Sequence, residues 1–435
     1  MKRELGSFER ALVLADRHAP FHSVHVLQVE TPPPPQTLAQ ALKSMQNRHP
    51  FLRVRLLNQK RRYHFVSLVD PILPYRVLPR WNDDHWIKVT EVELDTRIEL
   101  GAAPLFRCLY LYDANQKYAE IILTFFHFIV DDASVACLFD ELLTACASLA
   151  DLGTVTVSEL PPTPAQESRF PSAFQGTLLA VKKIRYLLQG LADEASYIFQ
   201  ARAARIPPVH KKPSHGHILS FRYPAEFVEK LKQRSRLEQV TLDALLQSAM
   251  LIALNRRLYG DKLTPMRAFS FWDMRPFVKP PLEDQNLSCC VSVLRHTLLV
   301  EGGTDPWQLA RSVQNKFYRS LKAGDHYVAV TLAESFLKSI VRKKSARMGA
   351  ASLNFNGETQ FKLKYGETVV NDIHSFVSPY DLGPEFAGQA RFFNGQLIWD
   401  FACLEADLSG GEAQVIAEEI GSILNSALSR PPVKI

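Results

Sequence analysis

An α/β (α+β) fold in two lobes, each a mostly antiparallel mixed sheet flanked by helices, is what this 435-residue sequence predicts. Three observations carry that prediction. The chain is longer than one hydrophobic core usually serves. Strand-like and helix-like periodicities alternate through both halves. The order of elements in the second half roughly repeats that of the first, without a repeat at the level of residues.

Composition narrows the class. Hydrophobic residues make up 46% of the chain and charged residues 22%, as in a chain that buries a large core and unlike a disordered one. Lys and Arg number 51 against 45 Asp and Glu. That excess gives no argument for nucleic acid, although it suits an anionic ligand or an acidic partner protein. The cysteines, Cys108, Cys137, Cys146, Cys289, Cys290 and Cys403, form no Cys-x-x-Cys pair and have no His at zinc-ligand spacing. Buried thiols and no metal site are the expectation. The charged opening is followed by no apolar run, and no later stretch approaches bilayer-crossing length. A cytoplasmic protein without a transmembrane segment is therefore expected, with a single chain as its own monomer.

The elements follow in order. Residues 23–29 alternate as a strand, prolines 32–35 break it, and Leu38, Ala41, Leu42 and Met45 line one face of a helix over 37–47. Pro50 ends that helix and a strand follows. Residues 105–112 and 117–128 read as a hairpin around the turn 113–116. Asp131, Asp132 and Ser134 then offer helix N-cap chemistry ahead of Val135, Leu138, Phe139 and Leu142 at helical spacing. His127 sits where the strand hands over to the helix, on the face of Leu123 and Phe125 and opposite Phe126.

The lobes are assigned to residues 1–160 and 216–435. Residues 161–215 join them through a basic amphipathic helix with Leu178, Val181, Ile184, Leu188 and Leu191 on one stripe. Such a stripe fits a membrane surface or packing against its own chain, and packing is the expected outcome. The second lobe opens with a strand at Ile218, then helices at 226–236 and 242–258 and a strand at 266–272. An apolar run at 289–294 precedes helices at 306–321 and 328–340, and a helix at 411–428 closes the lobe.

One segment concentrates the chemistry. Phe126-His127-Phe128-Ile129-Val130-Asp131-Asp132 resembles the His-His-x-x-x-Asp-Gly signature of the condensation-domain and chloramphenicol acetyltransferase superfamily, with Phe126 at the first His position and Asp132 at the Gly position. Further segments resemble the family in the same order: Arg48-His49-Pro50-Phe51-Leu52-Arg53, Pro104-Leu105-Phe106-Arg107, residues 240–246, Phe271-Trp272-Asp273-Met274-Arg275-Pro276 and Ser352-Leu353-Asn354-Phe355-Asn356-Gly357. Together they cover nearly the whole chain.

The resemblance implies two chloramphenicol acetyltransferase-like lobes with a tunnel between them. It implies a stand-alone acyltransferase similar to polyketide-associated and alcohol acyltransferases, with no cofactor held permanently. The donor would be acyl-CoA or a phosphopantetheine-linked acyl thioester on an acyl carrier protein. The acceptor would be a small molecule or lipid, with ester formation preferred over amide formation. His127 would be the general base, while Asp131 and Arg275 would pair across the lobes as structural residues. Asn354, Ser270 and Asp132 are candidates for oxyanion or substrate contacts. Asp132 brings a side chain where the family has glycine, which could narrow the tunnel, repel a phosphate-bearing donor or mark a scaffold that no longer catalyses. The alternative function is thus a catalytically silent condensation-like protein that binds a carrier protein or acyl ligand. His49, His215 and His217 show no chemical partner in the sequence.

Overall fold

A computed structural model describes residues 2–59, 62–102, 104–115, 117–204, 214–342, 347–359 and 361–430. The first half of the chain forms β1 (Lys2–Glu4), α1 (Ser7–His18), β2 (His22–Glu30), α2 (Pro35–Arg48), β3 (Val54–Gln59), β4 (Arg62–Ser67) and β5 (Tyr75–Leu78). It continues through α3 (His85–Asp95), β6 (Phe106–Leu111), β7 (Tyr118–Phe126), α4 (Asp132–Leu152) and α5 (Gly176–Ala203). Then come β8 (Gly216–Tyr223), α6 (Ala225–Leu237), α7 (Leu242–Leu258), β9 (Thr264–Asp273), β10 (Val291–Val300), α8 (Pro306–Ala323) and α9 (Asp325–Val341). Last are β11 (Gly349–Glu358), β12 (Lys364–Tyr365), β13 (Thr368–Val377), β14 (Pro384–Phe393), β15 (Gln396–Leu404) and α10 (Gly410–Ser429).

Most of these elements match the periodicities, and the exceptions have local causes. β7 stops at Phe126 because the Ile129 N–H turns back to donate to the Phe126 carbonyl at 3.1 Å. His127 therefore occupies a turn and not the strand. Gln116 of the expected hairpin turn and residues 205–213 of the expected linker lie outside the described residues.

The chain divides into two units. The first comprises residues 1–169, 274–291 and 358–378; the second comprises 170–273, 292–357 and 379–435. Neither is contiguous, so the division at 160 and 216 does not describe them. The reason is strand pairing: β13, late in sequence, hydrogen-bonds along β2, placing His25 opposite Ser375, 350 residues away.

In the first unit a six-stranded sheet runs β12-β13-β2-β7-β6-β5, antiparallel except for β5 against β6. A small sheet β1-β4-β3 accompanies it. Val24, Val26, Leu27 and Val29 of β2 are all buried, which suits a central strand covered on both faces. One helix here, α4, is by length and composition apolar enough to cross a bilayer, unlike the expectation that no stretch approaches this. Its apolar residues serve the core instead: Val135, Leu138, Phe139 and Leu142 are buried.

The second unit has the sheet β10-β9-β11-β14-β15-β8, in which β9 and β11 are parallel and β14, β15 and β8 are antiparallel. Helices α7, α8 and α10 pack against one another. α7 is buried from Ala244 to Asn255. It can carry Gln247 and Asn255 there because they donate to the carbonyls of Phe269 (2.8 Å) and Lys262 (2.9 Å). Gly388 on β14 is fixed by close approach, since a Cβ there would lie 2.7 Å from the Trp399 indole nitrogen.

The stripe on α5 does not pack against the chain. Leu178, Val181, Ile184, Leu188 and Leu191 are 59–68% exposed. The helix is held through its opposite, polar side, where Arg185 pairs with Asp325, Glu194 with Arg267 at 2.6 Å, and the Arg267 guanidinium lies over the Tyr197 ring at 3.6 Å.

Candidate active site

The loop from β7 to α4 is shaped by Asp131. As N-cap of α4 it accepts, through Oδ1, from the Ser134 N–H and the Ser134 hydroxyl, both at 3.0 Å. Its other oxygen accepts from Arg275 Nη1 and from the Cys290 N–H at 3.0 Å. Arg275 Nη2 donates to Ser134 Oγ at 2.7 Å, which closes a ring of three side chains. Asp131 is 8% exposed and Arg275 2%. With both oxygens occupied by donors the carboxylate holds the loop. The pair expected between Asp131 and Arg275 is present, but not as a bridge between lobes: segment 274–291, which carries Arg275, belongs to the first unit with Asp131.

His127 projects from the turn thus anchored. Its ring meets Phe21 edge to face, with centroids 5.4 Å apart. The residue is half-buried, and Nδ1 is enclosed without a hydrogen-bond partner. Burial pushes the imidazole below the ordinary histidine value; the charges of Asp132 and, less strongly, Asp131 oppose that shift. The result is an imidazole neutral near pH 7, the form that can accept a proton.

Asp132 opens α4 with helical backbone and no positive φ. The position therefore has no conformational need for the glycine of the motif. Its Oδ1 lies 3.8 Å from Nδ1 of His25 on β2, and the same nitrogen is 2.7 Å from the hydroxyl of Ser375 on β13. Phe126, at the first His position of the motif, is fully buried and tilts against Phe128 at 4.1 Å, which in turn packs on Phe65 at 5.2 Å. It also meets His22 edge to face at 6.0 Å.

Neighbouring thiols are unsuited to nucleophilic attack. Cys289 is pushed well above the ordinary thiol range by burial and then by the charge of Asp131. The expectation of buried thiols holds for Cys108, Cys146, Cys289, Cys290 and Cys403, and Cys137 is partly exposed.

Asn354 and Ser270 belong to the second unit. They lie on the parallel pair β11 and β9, where Leu353 stands opposite Ser270. Asn354 Nδ2 donates to Gln389 Oε1 at 2.9 Å, and Ser270 Oγ accepts from Gln247 Nε2 at 3.2 Å. His49, which seemed partnerless in the sequence, has its Nε2 2.7 Å from Glu141 Oε2 on α4. His25 and Ser375 were not singled out by sequence reasoning. His25 stands in an alternating strand like any inward residue, and only the pairing of β2 with β13 brings it to Ser375.

The condensation-domain family matches residues 12–263, more than half of the chain. The chain belongs to the condensation-domain family. A second match, over residues 220–352, is to the phthiocerol/phthiodiolone dimycocerosyl transferase C-terminus. Acyl transfer is the chemistry this membership supports. No curated protein matches the sequence.

Solved structures share the fold of this condensation-family chain at low sequence identity. Polyketide synthase associated protein 5 from Mycobacterium tuberculosis superposes with a TM-score of 0.69 at 15% identity, over 98% of each chain. Trichothecene 15-O-acetyltransferase from Fusarium sporotrichioides gives 0.75 at 12%, over 97% of this chain and 95% of its own. The first condensation domain of the CDA synthetase gives 0.71 at 14%, over 100% of this chain and 98% of its own. The predicted two-lobed α/β architecture is thereby borne out.

Proposed function

We propose that this protein transfers an acyl group from a thioester to the hydroxyl of an acceptor, with His127 as general base and no covalent enzyme intermediate. The observation that carries the reading is a half-buried imidazole, kept neutral by burial, on a turn locked by the Asp131–Arg275–Ser134 ring. A ring sealed among packed side chains would have pointed to a silent carrier-binding protein, whereas part of His127 is accessible.

Nδ1 is the enclosed nitrogen, so Nε2 is the one we assign to the acceptor. It takes the proton as the acceptor oxygen bonds to the thioester carbonyl carbon. When the tetrahedral adduct collapses the C–S bond breaks, and the same proton passes to the departing sulfur. The donor in this proposal is acyl-CoA or an acyl carrier protein, with an amine as the second choice of acceptor. Asn354 and Ser270 are the proposed oxyanion contacts, and each must first give up its bond to Gln389 or Gln247.

The test offers the full chain acyl-CoA and carrier-bound thioesters with panels of alcohols and amines, and measures free thiol together with product. His127→Ala should lower turnover by about a hundred- to ten-thousand-fold. Equal rates for the variant and the parent protein would remove His127 from the reaction.

A further inference from the structure

α5 is a 28-residue helix in which no residue is buried, and at 1.5 Å per residue it extends about 42 Å. Val181, Ile184, Leu188, Leu191 and Phe199 are each at least 60% exposed. Their spacing of three and four residues, carried on past Leu191 to Phe199, sets them on one side of the helix. Such a continuous aliphatic face on an exposed helix is unusual for a surface with nothing to cover it.

The charges of α5 are arranged unevenly about this face. Both acidic residues are turned inward and engaged: Asp193 Oδ2 accepts from the Thr297 hydroxyl at 2.9 Å, and Glu194 Oε2 accepts from Arg267 at 2.6 Å and lies 3.5 Å from Arg295. Arg185 is likewise spent on Asp325. The charged group left beside the outward face is cationic, the exposed Arg202 near its end, whereas Lys183, three turns before Glu194, is half-buried on the inward side.

We propose that α5 is a membrane-docking helix that lies flat in the interface of an anionic bilayer, its aliphatic face among the acyl chains and Arg202 among the headgroups. A lipid surface fits better than a protein partner. Protein interfaces are anchored by Tyr, Trp and Arg set among hydrogen-bonding groups, whereas this face offers aliphatic side chains and one Phe. The inference is independent of the acyl-transfer reading.

The test uses the full chain in flotation with vesicles of phosphatidylcholine alone and of phosphatidylcholine with about 30% phosphatidylglycerol. The protein should float with the anionic vesicles and be released by salt. The double substitution Ile184→Glu and Leu188→Glu should lower the partition coefficient by at least about tenfold. Arg202→Gln should lower it about fivefold on anionic vesicles only. Both positions 184 and 188 are exposed, and an unchanged melting temperature would verify folding. Absence of flotation with either vesicle, or flotation indifferent to the two glutamates, overturns the proposal. So does a concentration-dependent dimer that the glutamates dissolve while vesicle binding is absent, since that outcome assigns the face to a second copy of the chain.

Discussion

Asp132 Oδ1, at the start of α4, stands 3.8 Å from Nδ1 of His25 on β2. A carboxylate at a position where the motif carries no side chain thus has a partner in the wall of the first unit, and its charge is the leading influence that raises the His127 pKa against burial. In the proposed mechanism Asp132 therefore tunes the base.

Replacing Asp132 with Asn should therefore make His127 less basic. In the proposed mechanism the base is the neutral imidazole, so kcat/KM should fall as pH drops through the His127 pKa, which burial already sets below the ordinary 6.5. In Asp132→Asn that acid limb should move to still lower pH, with kcat on the plateau reduced a few-fold, on the order of what a weaker base implies. A pH–rate profile decides the matter, and a limb that stays in place would show that Asp132 acts on something else.

The Asp131–Arg275 pair predicts a stability effect separable from catalysis. Asp131→Asn keeps a good N-cap for α4 but removes the buried counter-charge of the Arg275 guanidinium, leaving the exposed Asp284 at 3.7 Å, which should cost about 3 kcal/mol. Arg275→Met in the same background should recover much of that loss, because apolar replacement of both charges is often close to neutral. Chemical denaturation of the two single variants and the double variant measures the coupling. Activity should stay low in the double variant, since the turn that aims His127 is no longer held.

Restoring the motif histidine should not improve this protein. Phe126 fills a buried aromatic cluster with Phe128 and Phe65. An imidazole there loses packing and buries an unpartnered N–H, so Phe126→His should destabilise by about 2–4 kcal/mol. Its kcat should not rise. A variant that is both stable and faster would contradict the account of this cluster.

His22 gives the first unit an acid-sensitive element. Its Nε2 accepts from the Ile98 N–H at 3.3 Å, and burial, helped by Arg107 and Arg97, holds its pKa at about 3 instead of 6.5. The unfolded chain gains this proton first, so stability should fall as pH drops from 6.5 toward 3. Over the interval from 6.5 to 5 the loss is on the order of 2 kcal/mol. Asp16, whose Oδ1 is 3.7 Å from His22 Nε2, works the other way: burial raises it to about 6, so its protonation stabilises the fold as pH falls from 6 to 3.8. His22→Asn should remove the acid loss and leave the Asp16 trend, visible as a changed slope of unfolding free energy between pH 6.5 and 4.

What the sequence revealed depended on how far apart the cooperating residues are. The α4 cap was legible because Asp131 and Ser134 are neighbours and a cap is a local pattern. The Arg275 partnership was legible only through a motif order shared with a family, for nothing in the segment around residue 275 indicates what its guanidinium meets. His25 with Ser375, and His49 with Glu141, were invisible because strand pairing and helix packing join distant segments. The stripe on α5 showed that the helix has two unlike faces, yet periodicity alone does not say which face meets water. Here the polar face found better partners, in Asp325, Arg267 and Arg295, than the apolar one did.

The late strand β13 has a practical meaning for anyone dissecting this chain. A fragment cut near residue 160 would contain β2 with one flank satisfied by β7 and the other, nine residues of open backbone, bare. An uncovered apolar edge of that length invites intermolecular sheet growth, so the amino-terminal half expressed alone should precipitate unless a peptide spanning residues 364–377 is supplied to complete it.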